Sequence, residues 1–285
     1  MSQPNIAHYR LNDLSGLLPP RAQDANKSDF GHVLVIGGNH GMAGAARLAA
    51  EAAARTGAGR VSVATRASHA AFLGSSRPEL MVHAIESVAE LQPLLQNASV
   101  IVLGPGLGQD AWSREMFAQA MSAAHPNVLA KVLDADALRQ LETLDGCLPP
   151  EVLLTPHPGE AAHLLGMTPA QIQAARSSSV LSLRQRFGGT WLLKGEGSLI
   201  ACDTALWRCT HGHPGMASGG MGDLLCGILA SLMAQGLSSC DAARLGVALH
   251  AAAGERAAQV EGGRGVLALD LLPHVRCLLE EVCPC

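Results

Sequence analysis

The chain has 285 residues, a charged fraction of 15%, a hydrophobic fraction of 48% and a formal net charge of −4. That balance gives no general attraction to polyanions, and one Tyr, four Phe and three Trp make no stacking surface, so nucleic acid is excluded as a partner. No apolar run approaches the roughly 20 residues of a membrane-spanning helix, and MSQPNIAHYRLNDLSGLLPPR lacks a signal-peptide core; membrane is excluded and a cytoplasmic location expected.

After a polar lead-in, HVLVIGG (32–38) reads as a buried strand ending in glycines. A helix follows from about Ala43 to Thr56, stopped by Gly57-Ala-Gly59. RVSVAT (60–65) and ELMVHAI (79–85) are the next strands, the second leading to a helix through SVAELQPLLQNA. SVIVLGPGLG (99–108) repeats the exit from strand to glycine turn, before a helix from about Asp110 to Ala124. NVLAKVLDADAL (127–138) is a strand running into two aspartates. EVLLTPHPGEAAHLLG (151–166) is a strand, a proline-bracketed turn and a short helix. A helix over 169–187 precedes TWLLKG (190–195), and SLIACD and ALWRC form a late antiparallel meander. Helices are expected over 223–235, 239–259 and 268–281.

Strands alternating with helices predict a three-layer α/β domain, a mostly parallel central sheet with helices on both faces. No linker, low-complexity tract or repeat divides the chain, so a single domain over 1–285 is expected. Ligands of such sheets sit at the carboxyl ends of the strands. The glycine and acid motifs all fall there, which points to one shared cleft. Eight cysteines contain no C-x-x-C pair, and a chain this long needs no staples, so free and mostly buried thiols are expected. His211 and His213, two histidines in a loop, do not by themselves make a metal site.

The loop Gly37-Gly-Asn-His-Gly-Met-Ala-Gly44 has G-x-x-G-x-x-G spacing and so fails the dinucleotide fingerprint. It could set backbone N–H groups against a phosphate or simply turn the chain. Gly104-Pro-Gly-Leu-Gly108 is a second such exit, and two on one sheet imply an extended ligand across the strand ends. Alternation along the strand puts Asp134 and Asp136 on one face, where they could organise Mg²⁺ through waters, or one could cap the next helix. In Thr155-Pro-His-Pro-Gly-Glu160 the prolines hold His157 in one direction, fit for hydrogen bonding or proton transfer, while Glu160 steadies the first helical turn. Lys194-Gly-Glu-Gly-Ser198 sets a lysine beside glycines, able to hold a nucleotide phosphate without being a P-loop. The absence of G-x-S-x-G weakens a hydrolase reading.

Ser218-Gly-Gly-Met-Gly-Asp-Leu-Leu-Cys-Gly227 is the most informative stretch. Leu224, Ile228 and Leu232 recur at helical spacing, so the helix packs on the sheet. Its free N–H groups with Gly219, Gly220 and Gly222 would cradle an anion, yet Asp223 stands at its mouth. An aspartate there ordinarily caps. A phosphoryl group in transfer reconciles the two, because it needs donors on its oxygens and a base for the attacking hydroxyl.

In order and combination LPPRAQDANKSDFGHVLVIGG (18–38), GMAGAARLAAEAAARTGAG (41–59), GPGLG, LDADAL, TPHPGE, KGEGS and SGGMGDLLCG resemble the ADP-dependent NAD(P)H-hydrate dehydratase family, within the ribokinase-like superfamily. The resemblance runs from about residue 18 to 260. It implies a metabolite-repair enzyme that dehydrates NADHX and NADPHX, the S epimers of hydrated NADH and NADPH, with ADP as co-substrate and Mg²⁺ as cofactor. Carried over, Ala45, Gly106, His157 and Asp223 contact the hydrated dinucleotide, with Asp223 catalytic. Lys194, Gly195, Glu196, Gly197 and Ser198, with Gly222, hold the adenine nucleotide, and Ser198 stands where the family commonly has Thr. A homotetramer is implied, as is a separate NAD(P)HX epimerase polypeptide, since many relatives carry an N-terminal epimerase domain that 285 residues cannot also contain. The alternatives are a ribokinase-like kinase for a vitamin-precursor alcohol and a nucleotide sensor without turnover.

Overall fold

A computed structural model describes residues 5–122, 127–128, 130–202 and 205–285. In chain order it contains β1 (Ile6–Tyr9), β2 (His32–Ile36), α1 (Ala43–Arg55), β3 (Arg60–Thr65), α2 (Ala67–Ser76), β4 (Met81–Ala84) and α3 (Val88–Asn97). There follow β5 (Val100–Leu103), α4 (Ala111–Met121), β6 (Ala130–Leu133), β7 (Leu148–Leu154), α5 (Pro158–Leu165), α6 (Pro169–Ala174) and α7 (Arg176–Phe187). The rest are β8 (Gly188–Leu193), β9 (Leu199–Ala201), β10 (Leu206–Cys209), α8 (Met221–Ala234), α9 (Ser239–Glu261) and α10 (Leu271–Val282).

All the strands share one sheet in the order β1-β10-β9-β8-β7-β6-β5-β2-β3-β4. Pairing is parallel from β4 through β8, and β8-β9 and β9-β10 form the antiparallel meander. Successive residues of a strand point to opposite faces, and here both faces are apolar. Val33, Val35, Val100 and Val102 face α1, α8, α9 and α10, whereas Leu34, Ile36, Ile101 and Leu103 face α3 to α7. The three-layer architecture expected from the alternating elements is the one observed.

Several elements differ from expectation. The lead-in contributes β1, which pairs parallel with β10 from Ile6↔Leu206 to Tyr9↔Cys209; a four-residue edge strand carries too little periodicity to be seen alone. The segment after β3 contributes α2, of which only Leu73 is buried. The helix expected over 169–187 is broken at Ala175, and α6 has its own capping box from Thr168 and Gln171. The expected helix end at Ala124 lies outside the described residues, as do Leu129 in the expected strand 127–138 and Asp203 at the end of SLIACD.

Free thiols are found buried at Cys209, Cys226 and Cys283 but exposed at Cys147, Cys277 and Cys285, and Cys202 is joined to Cys240 by a disulfide. The meander brings the end of β9 to the start of α9, with the two Cα atoms 5.8 Å apart. No sequence spacing announces that proximity. Among the described residues no helix is long and apolar enough to cross a membrane.

Candidate active site

The strand ends of β2 and β5 carry the two glycine loops, which bind each other through the main chain. The Gly38 N–H donates to Pro105 O (3.1 Å), the Asn39 N–H to Gly106 O (2.7 Å), and the Asn39 side-chain amide to Leu107 O (3.1 Å). A Cβ on Gly106, whose φ is +60°, would lie 2.7 Å from Met42 O and 3.1 Å from the Ala45 Cβ. Gly106 and Ala45 therefore come together. The helix that follows the first loop, α1, begins without a side-chain cap. Of its first amides, that of Ala45 donates to Met42 O (3.2 Å).

Asp134 and Asp136 part company. The strand β6 ends at Leu133 and Ala135 takes φ +48°, so the alternation that would put both carboxylates on one face stops before them. Asp136 accepts the Gly108 N–H (2.9 Å) and steadies the GPGLG turn. Asp134 is buried, and its Oδ1 accepts from Lys194 Nζ (2.5 Å) and Thr155 Oγ1 (2.8 Å). Neither arrangement is a metal cage, and among the described residues no group of three or more His, Cys, Asp or Glu could hold an ion. The expectation that Asp134 and Asp136 share one face is corrected: Asp134 turns to Lys194 and Thr155, and Asp136 to the Gly108 amide.

Lys194, at the end of β8, has its Nζ between Asp134 and Glu160, the latter at 3.9 Å. Burial works against its charge, but the two carboxylates outweigh it and raise its pKa. Burial likewise opposes ionisation of Asp134; the Lys194 charge, with hydrogen bonds from Lys194, Thr155 and Cys226, holds its carboxyl below the usual range. This cluster sits under the mouth of α8. A Cβ on Gly222 would lie 3.3 Å from Lys194 Nζ and 3.5 Å from Asp134 Oδ2.

At that mouth Gly220 adopts φ +87°, and a Cβ there would meet Leu48 at 2.5 Å, so the turn demands glycine. Gly219 has open space around its Cβ position and is not required in the same way. Asp223 makes no capping bond, and α8 starts without any side-chain cap. By contrast α4, α5, α6 and α9 are capped by Asp110, His157, Thr168 and Ser238. Burial and the nearby Asp134 push the Asp223 pKa up to about 6, with Lys194 pulling against them. An acid poised there suits proton transfer near neutral pH.

His157 occupies the N-cap of α5: its Nδ1 accepts the Gly159 N–H (2.9 Å), and its Nε2 lies 3.1 Å from Glu160 Oε1. The capping role assigned in sequence to Glu160 is thus shared by His157, and the Nδ1 acceptor bond places the ring proton on Nε2.

A cavity of about 770 Å³ is lined by Lys194 to Ser198, Arg208, the 210–217 turn, Gly222 and His250. His250, on α9, escaped sequence reading because a lone histidine in an apolar helix gives no signal. It is buried, and burial lowers its pKa to about 4, so it stays neutral. Arg208 and Thr155 also gain their place only from packing. His211 pairs with Glu255 at 2.8 Å and His213 accepts the Gly215 N–H at 3.0 Å, which leaves both with structural tasks.

A parallel sheet whose strand ends present uncapped, glycine-led helices beside a half-buried lysine and buried carboxylates defines an α/β domain of the ribokinase-like class. A ribokinase-like superfamily protein from Enterococcus faecalis V583 superposes with a TM-score of 0.90 at 27% identity, covering 100% of this chain and 99% of that one. Residues 33–276 match the NAD(P)H-hydrate dehydratase family, and the chain belongs to it. It is 48% identical over 265 residues to the bifunctional NAD(P)H-hydrate repair enzyme Nnr of Coxiella burnetii, a match covering 93% of this chain and 53% of that protein. It is 38% identical over 272 residues to the ADP-dependent (S)-NAD(P)H-hydrate dehydratase of Neisseria meningitidis serogroup B, covering 92% of this chain and 89% of that one. The chain therefore spans about half the length of the bifunctional relatives it matches.

Proposed function

We propose that the protein dehydrates the S epimers of hydrated NADH and NADPH, coupled to conversion of ADP to AMP and phosphate. The observation that carries this reading is Asp223, an uncapped and partly buried acid at the glycine-led mouth of α8, one residue from Gly222 and the Lys194 cluster.

Hydroxide is a poor leaving group, so the ring hydroxyl is phosphorylated first. Asp223 takes the hydroxyl proton as the oxygen attacks the terminal phosphoryl group of ADP, and AMP departs. The amides of Gly219 to Gly222 hold the phosphoryl oxygens, an interaction that strengthens as charge develops. The C–O bond then breaks, phosphate leaves with the bonding pair, and the ring-nitrogen lone pair fills the vacancy. Loss of a proton from the neighbouring ring carbon completes the dihydronicotinamide.

In this reading Ala45, Gly106 and His157 contact the hydrated dinucleotide, and Lys194, Gly195, Glu196, Gly197, Ser198 and Gly222 contact the adenine nucleotide. The loop Lys194–Ser198 and Gly222 border the cavity, which supports the second set. Mg²⁺ enters with the ADP phosphates, with Asp134 and Asp136 the acids that would organise it through waters. A cytoplasmic homotetramer whose dehydration is paired with an NAD(P)HX epimerase activity completes the proposal.

The test incubates the protein with ADP, Mg²⁺ and hydrated NADH. Dihydronicotinamide absorbance should return with one AMP and one phosphate per NADH. No recovery with either ADP or ATP, given folded protein, refutes the assignment, and a stable phosphorylated product would indicate a kinase.

A further inference from the structure

Arg176 is the first residue of α7, where a cation opposes the helix dipole. Its guanidinium instead reaches the end of β8. Nη1 donates to Lys194 O (3.2 Å) and Nη2 to Leu193 O (3.1 Å) and Gly197 O (3.5 Å), while Gln173 Oε1 accepts from Nη1 at 3.1 Å. Three carbonyls of one short segment therefore share a single planar fork. The ends of the segment are tied by Lys194 N–H to Pro156 O (2.9 Å) and Cys209 N–H to Ser198 O (3.2 Å), and Ser198 Oγ donates to Gly195 O (3.1 Å), while Gly195 and Gly197 have φ of +136° and +57°. A Cβ on Gly195 would lie 2.8 Å from Arg176 Nη1, so the glycine leaves room for the guanidinium.

We propose that Arg176 is the positioning residue of the nucleotide loop Lys194–Ser198, fixing its backbone before the adenine nucleotide arrives. This rests on the reading that the loop holds ADP. Arg176 itself does not border the cavity, so its effect passes through the loop. Its fork spans carbonyls that a lysine ammonium, donating from one point, cannot reach together. A loop already in its bound shape loses less freedom on binding, and that difference appears in nucleotide affinity.

The experiment measures KM for ADP and for hydrated NADH, with kcat, in wild type, Arg176→Lys and Arg176→Gln, alongside ADP binding by calorimetry. Arg176→Gln should raise the ADP KM by about tenfold or more, with the hydrated NADH KM within about twofold and kcat at saturating ADP little changed. Arg176→Lys, which keeps the charge but not the fork, should fall between them. An ADP KM within about twofold of wild type in folded Arg176→Gln overturns the inference. So does an equal rise in both KM values, or loss of both ligands in both variants, because the damage is then global. Failure of wild type itself to bind ADP overturns the nucleotide reading and this inference with it; normal ADP binding by wild type with unchanged variants overturns this inference alone.

Discussion

Loops 37–44 and 104–108 hold one another by main-chain bonds between glycine-rich turns, whereas segments 194–198 and 218–223 are organised around buried side-chain charges. In the first region a Cβ at Gly37, Gly38, Gly104, Gly106 or Gly108 is the intruder. The second also needs glycine at 195, 197 and 220, but its distinctive danger is a change that unbalances Lys194, Asp134, Glu160 and Asp223. Shape is maintained by backbone conformation on one side and by electrostatic compensation on the other, so the two regions should fail differently.

Lys194→Met should show the largest effect. It strands the buried Asp134 without its cation, at a cost of about 3–5 kcal/mol, measurable by urea unfolding at pH 7. A loss below about 1 kcal/mol would mean the cluster is not held together by charge. Asp223→Asn comes next, with a fall in turnover of at least ~10²-fold, the scale of a lost general base. The same variant should unfold at higher denaturant. Because the Asp223 pKa is raised in the fold, its stability contribution is present below the unfolded pKa and lost as pH rises through about 6. At pH 7 the ionised acid therefore destabilises the protein by about 3 kcal/mol, which asparagine removes.

The glycine region gives the third effect. Gly104 has φ +128° and its Cβ position runs into the Asp134 carbonyl, so Gly104→Ala should cost about 2–3 kcal/mol. Gly219→Ala, with open space at its Cβ, should change stability by no more than about 0.5 kcal/mol, the smallest effect of the set. Equal losses for the two alanine variants, read by thermal unfolding, would remove the distinction between a required and a tolerant glycine.

The same contrast explains what the sequence discloses. Backbone-built features leave local marks: apolar runs for β2 and β5, glycines at their exits, and the SGGMGD turn before α8. Charge-built features do not. Nothing in LDADAL tells that Ala135 turns the chain and sends Asp134 to Lys194 and Asp136 to Gly108, because the partners lie 60 and 28 residues away. His250, Arg176 and the Cys202–Cys240 bond are hidden for the same reason. The edge strand β1 is legible only once β10 is there to pair with it.

The central claim is that Asp223 acts as the base at the α8 mouth, and the pH dependence of turnover tests it most directly. With ADP and hydrated NADH, wild-type turnover should rise with pH through a single limb near 6 and then level, since only the ionised carboxylate accepts the hydroxyl proton. Asp223→Asn should lose that limb along with most of its rate. A flat profile between about pH 5 and 8 in wild type, or a limb near 6 that survives in Asp223→Asn, would contradict it.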